Sequence, residues 1–241
     1  MQRRPYSTRF YVATSFFAFS FCVLFALGSW QVERRARKLE LIERVDQRVH
    51  AAPVAPPGPS EWSHVNASND EYRHVEISGR FLHQSATLVQ ASTELGSGFW
   101  VLTPLRQEDG SIVLINRGFV PPDQNPRSDN TGPVIRLSGL LRISEPGGSA
   151  LRKNEPQADR WFSRDVQAIA AARELDHVAP YFIDADAAPA TVAGEPVGGL
   201  TVISFYNHHL VYIFTWYTLA LMAAGAIVYL IHSERRLKRE P

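Results

Sequence analysis

Cysteine is almost missing from this chain. Of 241 residues only Cys22 carries a thiol, and it lies inside a long apolar run. The rest of the chain therefore has no disulfides, no thiolate chemistry and no cysteine-built zinc cage. There is no C-x-x-C-H run, which excludes covalent c-type haem attachment. H-E-x-x-H, G-x-S-x-G, a Walker P-loop and G-x-G-x-x-G are missing as well. Charge of one sign is not in excess: the formal net charge is +1, so total charge argues for no nucleic-acid partner. His50, His64, His74, His83 and His177 are scattered without metal-ligand spacing.

What the chain does have is two long apolar runs, Phe10 to Leu27 and Leu210 to Ile231, the second without a charged residue. Each is close to the ~20 residues that a helix needs to cross ~30 Å of hydrocarbon. A helix also satisfies its own backbone hydrogen bonds, which lipid does not. Arg3, Arg4 and Arg9 precede the first run, and Arg235, Arg236, Lys238 and Arg239 follow the second. Cytoplasmic flanks carry such an excess, so both tails are expected on the cytoplasmic side. Arg34, Arg35, Arg37 and Lys38 argue the other way, but a long intervening segment translocates largely regardless of charge. Ala26-Leu27-Gly28 would suit a signal peptidase, yet the first run exceeds the ~7–15 residues of a signal h-region. An uncleaved anchor is the expectation.

The expected fold is a membrane protein in which two transmembrane helices flank a mostly antiparallel β (α+β) extracytoplasmic domain. In segments, 1–9 is a cytoplasmic tail, 10–30 the first span, and 31–60 a basic helical extension and Pro-rich linker. Residues 61–207 form the β-rich domain, 208–231 the second span, and 232–241 a basic tail. Ala51 to Ser60, AAPVAPPGPS, is expected to break the helix, since proline removes donors and clashes with the preceding turn. Strand character falls at Tyr72–Ser78, Phe81–Gln90, Phe99–Leu105, Ile112–Val120, Val134–Ile143, Pro180–Ile183 and Leu200–Phe205. Glu108-Asp109-Gly110 has hairpin-turn chemistry, and Asp123 to Pro133 reads as a loop. One helix is expected from about Asp165 to Leu175, with Ser163 or Asp165 as N-cap. The β core is either a small barrel or a sandwich.

His208 and His209 stand at the mouth of the second run. Neutral imidazole ligates iron, zinc or copper, and one histidine is a common axial ligand to haem iron. Adjacent helical residues point apart, so two rings do not clamp one ion. On a helix His209 shares a face with Tyr212, Ile213 and Trp216, which offers aromatic walls to a flat macrocycle. The same residues also read as an interfacial aromatic belt. Trp30, Arg34 and Lys38 recur every four residues at the same membrane edge. Their cations suit haem propionates or, equally, anionic lipid headgroups. Arg117 fits an anion site or a structural ion pair. Asp184 and Asp186 would share one face of a strand, which suits weak cation binding, but solvated loop carboxylates are the expectation.

The ordered motifs resemble the Surfeit locus protein 1 family of cytochrome c oxidase assembly factors. They are Gly28-x-Trp30-Gln31-x-x-Arg34-x-x-x-Lys38, Gly98-Phe99-Trp100-Val101-Leu102-Thr103-Pro104-Leu105 and Val113-Leu114-Ile115-Asn116-Arg117-Gly118-Phe119-Val120-Pro121. Gly139-Leu140-Leu141-Arg142, Glu145-Pro146, Ser163-Arg164-Asp165 and Pro180-Tyr181-Phe182-Ile183-Asp184 follow. Gly198-Gly199 and Asn207-x-His209-Leu210-x-Tyr212-x-x-Thr215-Trp216-Tyr217 close the series. Residues Ser149 to Arg160 depart from the pattern and receive no role.

The resemblance implies a non-enzymatic factor of the bacterial cytoplasmic membrane or the mitochondrial inner membrane, with the domain outside the cytoplasm or matrix; a bacterial cytoplasmic membrane, with both termini cytoplasmic and the domain in the periplasm, is the expectation. It implies transient binding of haem a and its delivery to oxidase subunit I. His209 would be the ligand to the haem iron, and Tyr212, Trp216, Trp30, Arg34 and Lys38 its surroundings. The haem a synthesis machinery and membrane lipid are further expected partners. The competing expectation is a membrane-anchored scaffold that holds the nascent oxidase subunit without obligatory haem. A membrane-anchored hydrolase or haem-modifying enzyme is disfavoured by the missing motifs.

Overall fold

The computed structural model describes residues 8–124, 132–149, 151–187, 195–201 and 209–237. The chain forms two compact units. One comprises the chain up to Arg44 with the segment from Ser204 onward, and the other is Val45–Ile203.

The first unit contains most of α1 (Thr8–Val49) and α4 (His209–Leu237), both long and apolar enough to cross a membrane. Beyond its apolar half, α1 continues through Arg, Leu, Glu and Lys, all good helix formers. Buried and half-buried positions of α4 recur at Ile213, Trp216, Tyr217, Ala220, Ala223 and Ala224, a single face. The two helices touch where Gly28 lacks a side chain. A Cβ there would meet Tyr217 ring carbons at 3.0–3.2 Å. The Tyr217 hydroxyl lies 3.3 Å from Ser29 Oγ, and its ring packs edge-on to Phe25 at 5.5 Å. Lipid gives no hydrophobic drive to helix pairing, so close approach at a small residue supplies the contact.

The second unit begins with the end of α1 and runs through α2 (Ala67–Asp70), β1 (His74–Phe81), β2 (Thr87–Thr93), β3 (Gly96–Arg106) and β4 (Ile112–Val120). It continues with β5 (Ile135–Ile143), α3 (Val166–Ala172) and β6 (Val178–Ala185). The strand order is β1-β5-β6-β4-β3-β2. A further pairing of β1 with β3, Arg80 opposite Arg106 and Phe81 opposite Leu105, curls the sheet into a barrel-like core. That decides between the two expected architectures. All pairings between these strands are antiparallel except β4 with β6.

Side-chain alternation sorts the residues into two layers. Val75, Ile77, Val113, Ile115, Leu141, Tyr181 and Ile183 fill the barrel interior. Leu102, Leu114 and Phe182 point outward and are covered by Trp161, Val166 and Ile169, so α3 seals the outer face. Asp165 caps α3, its side chain accepting from the Ala168 amide. The segment expected as one strand over Phe81–Gln90 is split, because a turn at His83–Ser85 redirects the chain into β2. Most of the Leu200–Phe205 expectation and of the 123–133 loop lies outside the described residues; Leu200 and Thr201 are not in a strand.

Residues 51–65 break the helix as expected but are packed against the barrel. Val54 bridges Val75, its amide donating to the His74 carbonyl and its carbonyl accepting from the Glu76 amide. Tyr181 Oη donates to the Pro57 carbonyl at 2.7 Å, and Trp62 Nε1 donates to the same oxygen. Burial pushes the Tyr181 phenol well above its usual range, so it acts as a donor. His74 adds a clasp. Its Nδ1 lies 2.8 Å from the Ala51 carbonyl and its Nε2 lies 2.9 Å from Asp186 Oδ2. Both partners accept, so both ring nitrogens donate, and this geometry belongs to the imidazolium.

Two outcomes follow from these contacts. Desolvation lowers the His74 pKa, but the Asp186 hydrogen bond, the Ala51 hydrogen bond and the Asp186 charge together raise it above 6.5. The clasp therefore contributes fully below the unfolded value and is lost as pH rises through the folded one. Thermal melts from pH 5.5 to 8.5 should show wild type losing stability as pH rises above 6.5, a fall that His74→Gln should lack. In the membrane unit, Gly28→Leu should cost about 1–3 kcal/mol through overpacking on Tyr217. Combined with Tyr217→Ala the cost should be less than additive, measured by denaturation in detergent.

Candidate functional site

The residues expected around His209 all belong to the membrane unit. His209 opens α4, and the apolar run begins at the next residue. The His209 side chain and all of His208 lie outside the described residues. Tyr212, three residues on, is 53% exposed, and Trp216 is half-buried. On α1, Trp30 is 45% exposed and carries the Arg34 guanidinium 5.2 Å above its ring. Lys38 is half-buried one turn further on.

Stacking on Trp30 leaves the Arg34 N–H donors unspent, and among the described residues Arg34 has no ion pair. Tyr212 and Trp30 keep exposed faces, and the α1–α4 contact is made instead by Tyr217, Gly28 and Ser29. A flat, apolar, propionate-bearing macrocycle needs such a set: one imidazole, open aromatic faces and a cation with free donors. The residues present fit that chemistry. Tyr217 stands in the closing motif, but nothing local in the sequence gives it this contact, although Gly28-Ser29 marks the place where a large ring from another helix fits.

A second polar centre lies on the outer face of the sheet, in the β unit. Its hub is Asp184, 3% exposed. One carboxylate oxygen accepts from Asn116 Nδ2 at 2.8 Å and Arg164 Nη1 at 3.1 Å. The other accepts from Arg142 Nη1 at 2.9 Å and Thr201 Oγ1 at 3.1 Å. The expected solvated loop carboxylate is thus a buried one. Asn116 faces Asp184 in the parallel β4–β6 register, and Arg142 reaches it from neighbouring β5. Asp184 and Asp186 do share the outer face, Asp186 accepting from His74 and from Ser138 Oγ.

Arg164 is held on its other side by Glu145. Burial opposes ionisation of that carboxyl, but the Arg164 hydrogen bond and charge outweigh it and pull its pKa down. Arg164 lies 4.7 Å over the Phe182 ring, and Arg142 lies 4.8 Å over Tyr72. Tyr72 is left-handed, with φ of 63°, an uncommon and strained conformation for a bulky residue. Tyr72, Trp100, Arg142, Arg164, Asp184 and Thr201 line part of a cavity of about 440 Å³. The centre is a hydrogen-bonded tie that joins β4, β5, β6, the approach to α3 and Thr201. Among the described residues no cluster of three or more His, Cys, Asp or Glu could hold a metal ion.

Comparison with known proteins adds the family. Surfeit locus protein 1 of Mus musculus is 36% identical over 215 residues, covering 81% of this chain and 68% of that protein. The human protein of the same name is 36% identical over 219 residues, covering 81% and 70%. A SURF1-like protein of Monosiga brevicollis is 34% identical over 225 residues, covering 86% and 83%. A family model described as the SURF1 family matches residues 18–221. Two apolar terminal helices, a β-rich unit between them and this match together show that the chain belongs to the SURF1 family.

Proposed function

We propose that this protein is a membrane-anchored, non-catalytic assembly factor for cytochrome c oxidase, which takes up haem a transiently and assists its insertion into subunit I. The observation that carries this reading is family membership over most of the chain, with His209 placed at the start of α4. His209 would ligate the iron. Tyr212, Trp216 and Trp30 would bound the ring, and Arg34 with Lys38 would hold the propionates. When bound, haem a supplies the redox-active iron that the target subunit requires. The chain's own task is to bind, orient and release it. A single protein ligand at an open edge suits release, because two strong axial ligands would hold the iron too firmly.

Arg9 before the first span and Arg235 and Arg236 after the second support cytoplasmic termini. On that reading the β unit is periplasmic in a bacterial cytoplasmic membrane. The haem a synthesis machinery, as donor, and membrane lipid complete the proposed partners.

Protein purified in detergent from cells that make haem a should show a Soret band, with haem a in the extract. His209→Ala should lose most of the bound haem, whereas His208→Ala should keep it. Wild-type haem content in His209→Ala would remove the ligand assignment. Haem-free wild type that still captures subunit I would replace the carrier with a scaffold.

A further inference from the structure

We infer that the cavity at the end of the barrel interior binds a small acidic amphiphile, with Arg117 as the receptor for its oxyanion head. Arg117 follows Val113 and Ile115 on β4 and shares their inward face. Its guanidinium lies 5.2 Å over the Phe81 ring, and Nη1 is 3.4 Å from His83 Nδ1. Among the described residues no carboxylate comes within ion-pair distance of it; Glu195 acts on it only from further away. His83 offers no compensation: burial and the Arg117 charge both lower its pKa, so it is a neutral acceptor.

The contrast with two other half-buried guanidiniums, on the outer face, is direct. Arg142 and Arg164 each have a carboxylate within 3.1 Å. A half-buried charge without a counter-ion is costly, and such a group in a folded protein calls for an explanation, a missing ion among them. The surroundings name the ion's chemistry. Arg117 lines a cavity of about 370 Å³, towards the lower end of the ~300–1,000 Å³ of small-molecule sites. Its inner walls are Phe81, Ile135, Leu137 and Ala185, all apolar, so the occupant carries an apolar body behind its head.

The rim sets the charge. Asp186 is paired with His74 and accepts from Ser138 Oγ, and Arg136 is matched by Glu76 at 3.5 Å. Among the described residues of the rim exposed Glu195 remains, and it disfavours more than one negative charge on the occupant. A carboxylate and a phosphate ester share the planar or forked acceptor geometry that a guanidinium reads. The backbone is shaped for the site. Gly118 has φ of 124°, and a Cβ on it would meet the Val197 carbonyl at 2.0 Å. Only glycine there lets the 195–199 segment cross β4, through the Phe119–Val197 bridge, and bring Glu195 to the rim. Every residue used belongs to the β unit, so the inference stands apart from the haem reading.

The test uses the full chain in nanodiscs of zwitterionic lipid, titrated calorimetrically with hexanoate, the monoanionic diester hexyl methyl phosphate and hexanamide. The two acids should bind saturably and raise the melting temperature; the amide should not. Arg117→Gln should weaken acid binding about tenfold or more, with an unchanged far-UV spectrum. Glu195→Gln, an exposed change that spares the core, should tighten it several-fold. Should Arg117→Gln fail to fold, the amide comparison and Glu195→Gln still decide. Equal binding of acid and amide, undiminished binding in Arg117→Gln, or no gain in Glu195→Gln overturns the site. A parallel arm in nanodiscs containing anionic phospholipid distinguishes the source. Loss of hexanoate binding there assigns the cavity to a lipid headgroup, and retention assigns it to a free acid.

Discussion

The parallel pairing of β4 with β6 is the constraint on which the β unit rests. Both strands are buried on both faces, so their register assigns every side chain to a layer. Leu114 opposite Phe182, Ile115 opposite Ile183 and Asn116 opposite Asp184 fix that assignment. Ile115 and Ile183 then fall inside the barrel, and Leu114 and Phe182 under α3. A slip by one residue would reverse this. Asn116 and Asp184 would enter an apolar interior, and Arg117 would leave its cavity. The polar centre and the amphiphile site are thus two consequences of one register, placed on opposite faces of the same strand.

The two sites handle buried charge in opposite ways. At Asp184 the charges are dense but cancelled, and the carboxylate spends its acceptor capacity on four donors. Such pairs add little net stability over an apolar filling, yet removing one partner is severe. Their effect is to commit segments distant in sequence to one arrangement. At Arg117 the charge is left open among the described residues, a standing cost in the free protein that an anion would offset. The strained backbone of Tyr72 lies in the cancelled centre, held by its amide N–H, which donates to the Leu141 carbonyl, and by Arg142 over its ring.

How much of this was legible depends on the range of the interaction. The limits of β4 were read as they stand, since its apolar run is bounded by turn residues at both ends. The Asp165 cap and the turn before Ser111 are equally local, the latter closed by Asp109 Oδ1 accepting from the Ser111 amide. The two-helix, one-domain organisation came from apolar run length alone. Asp184 was misjudged because its partners lie 17 to 68 residues away, and nothing local distinguishes a buried aspartate from a loop one. His74 looked idle for the same reason: its acceptors are contributed by Ala51 and Asp186. The Pro-rich stretch announced a helix end correctly, but its docking depends on a tyrosine far along the chain, Tyr181. For the membrane edge the sequence drew attention to Trp30, Arg34 and Lys38, whereas the helix contact itself is carried by Gly28, Ser29 and Tyr217.

That division of labour on the helices bears on the proposed carrier role. A helix pair in lipid gains no hydrophobic energy by hiding its large side chains, so a glycine-scale contact suffices to pair it. Phe16, Phe19, Phe214 and Leu221 remain mostly exposed, which is the expected state of lipid-facing residues and costs nothing there. Because Tyr217 makes the contact, the Tyr212 face of α4 and the Trp30 face of α1 are not consumed by it. An aromatic surface spared by packing, at the depth where the apolar run of α4 begins, is what a flat cargo requires if it is to enter and leave without separating the helices.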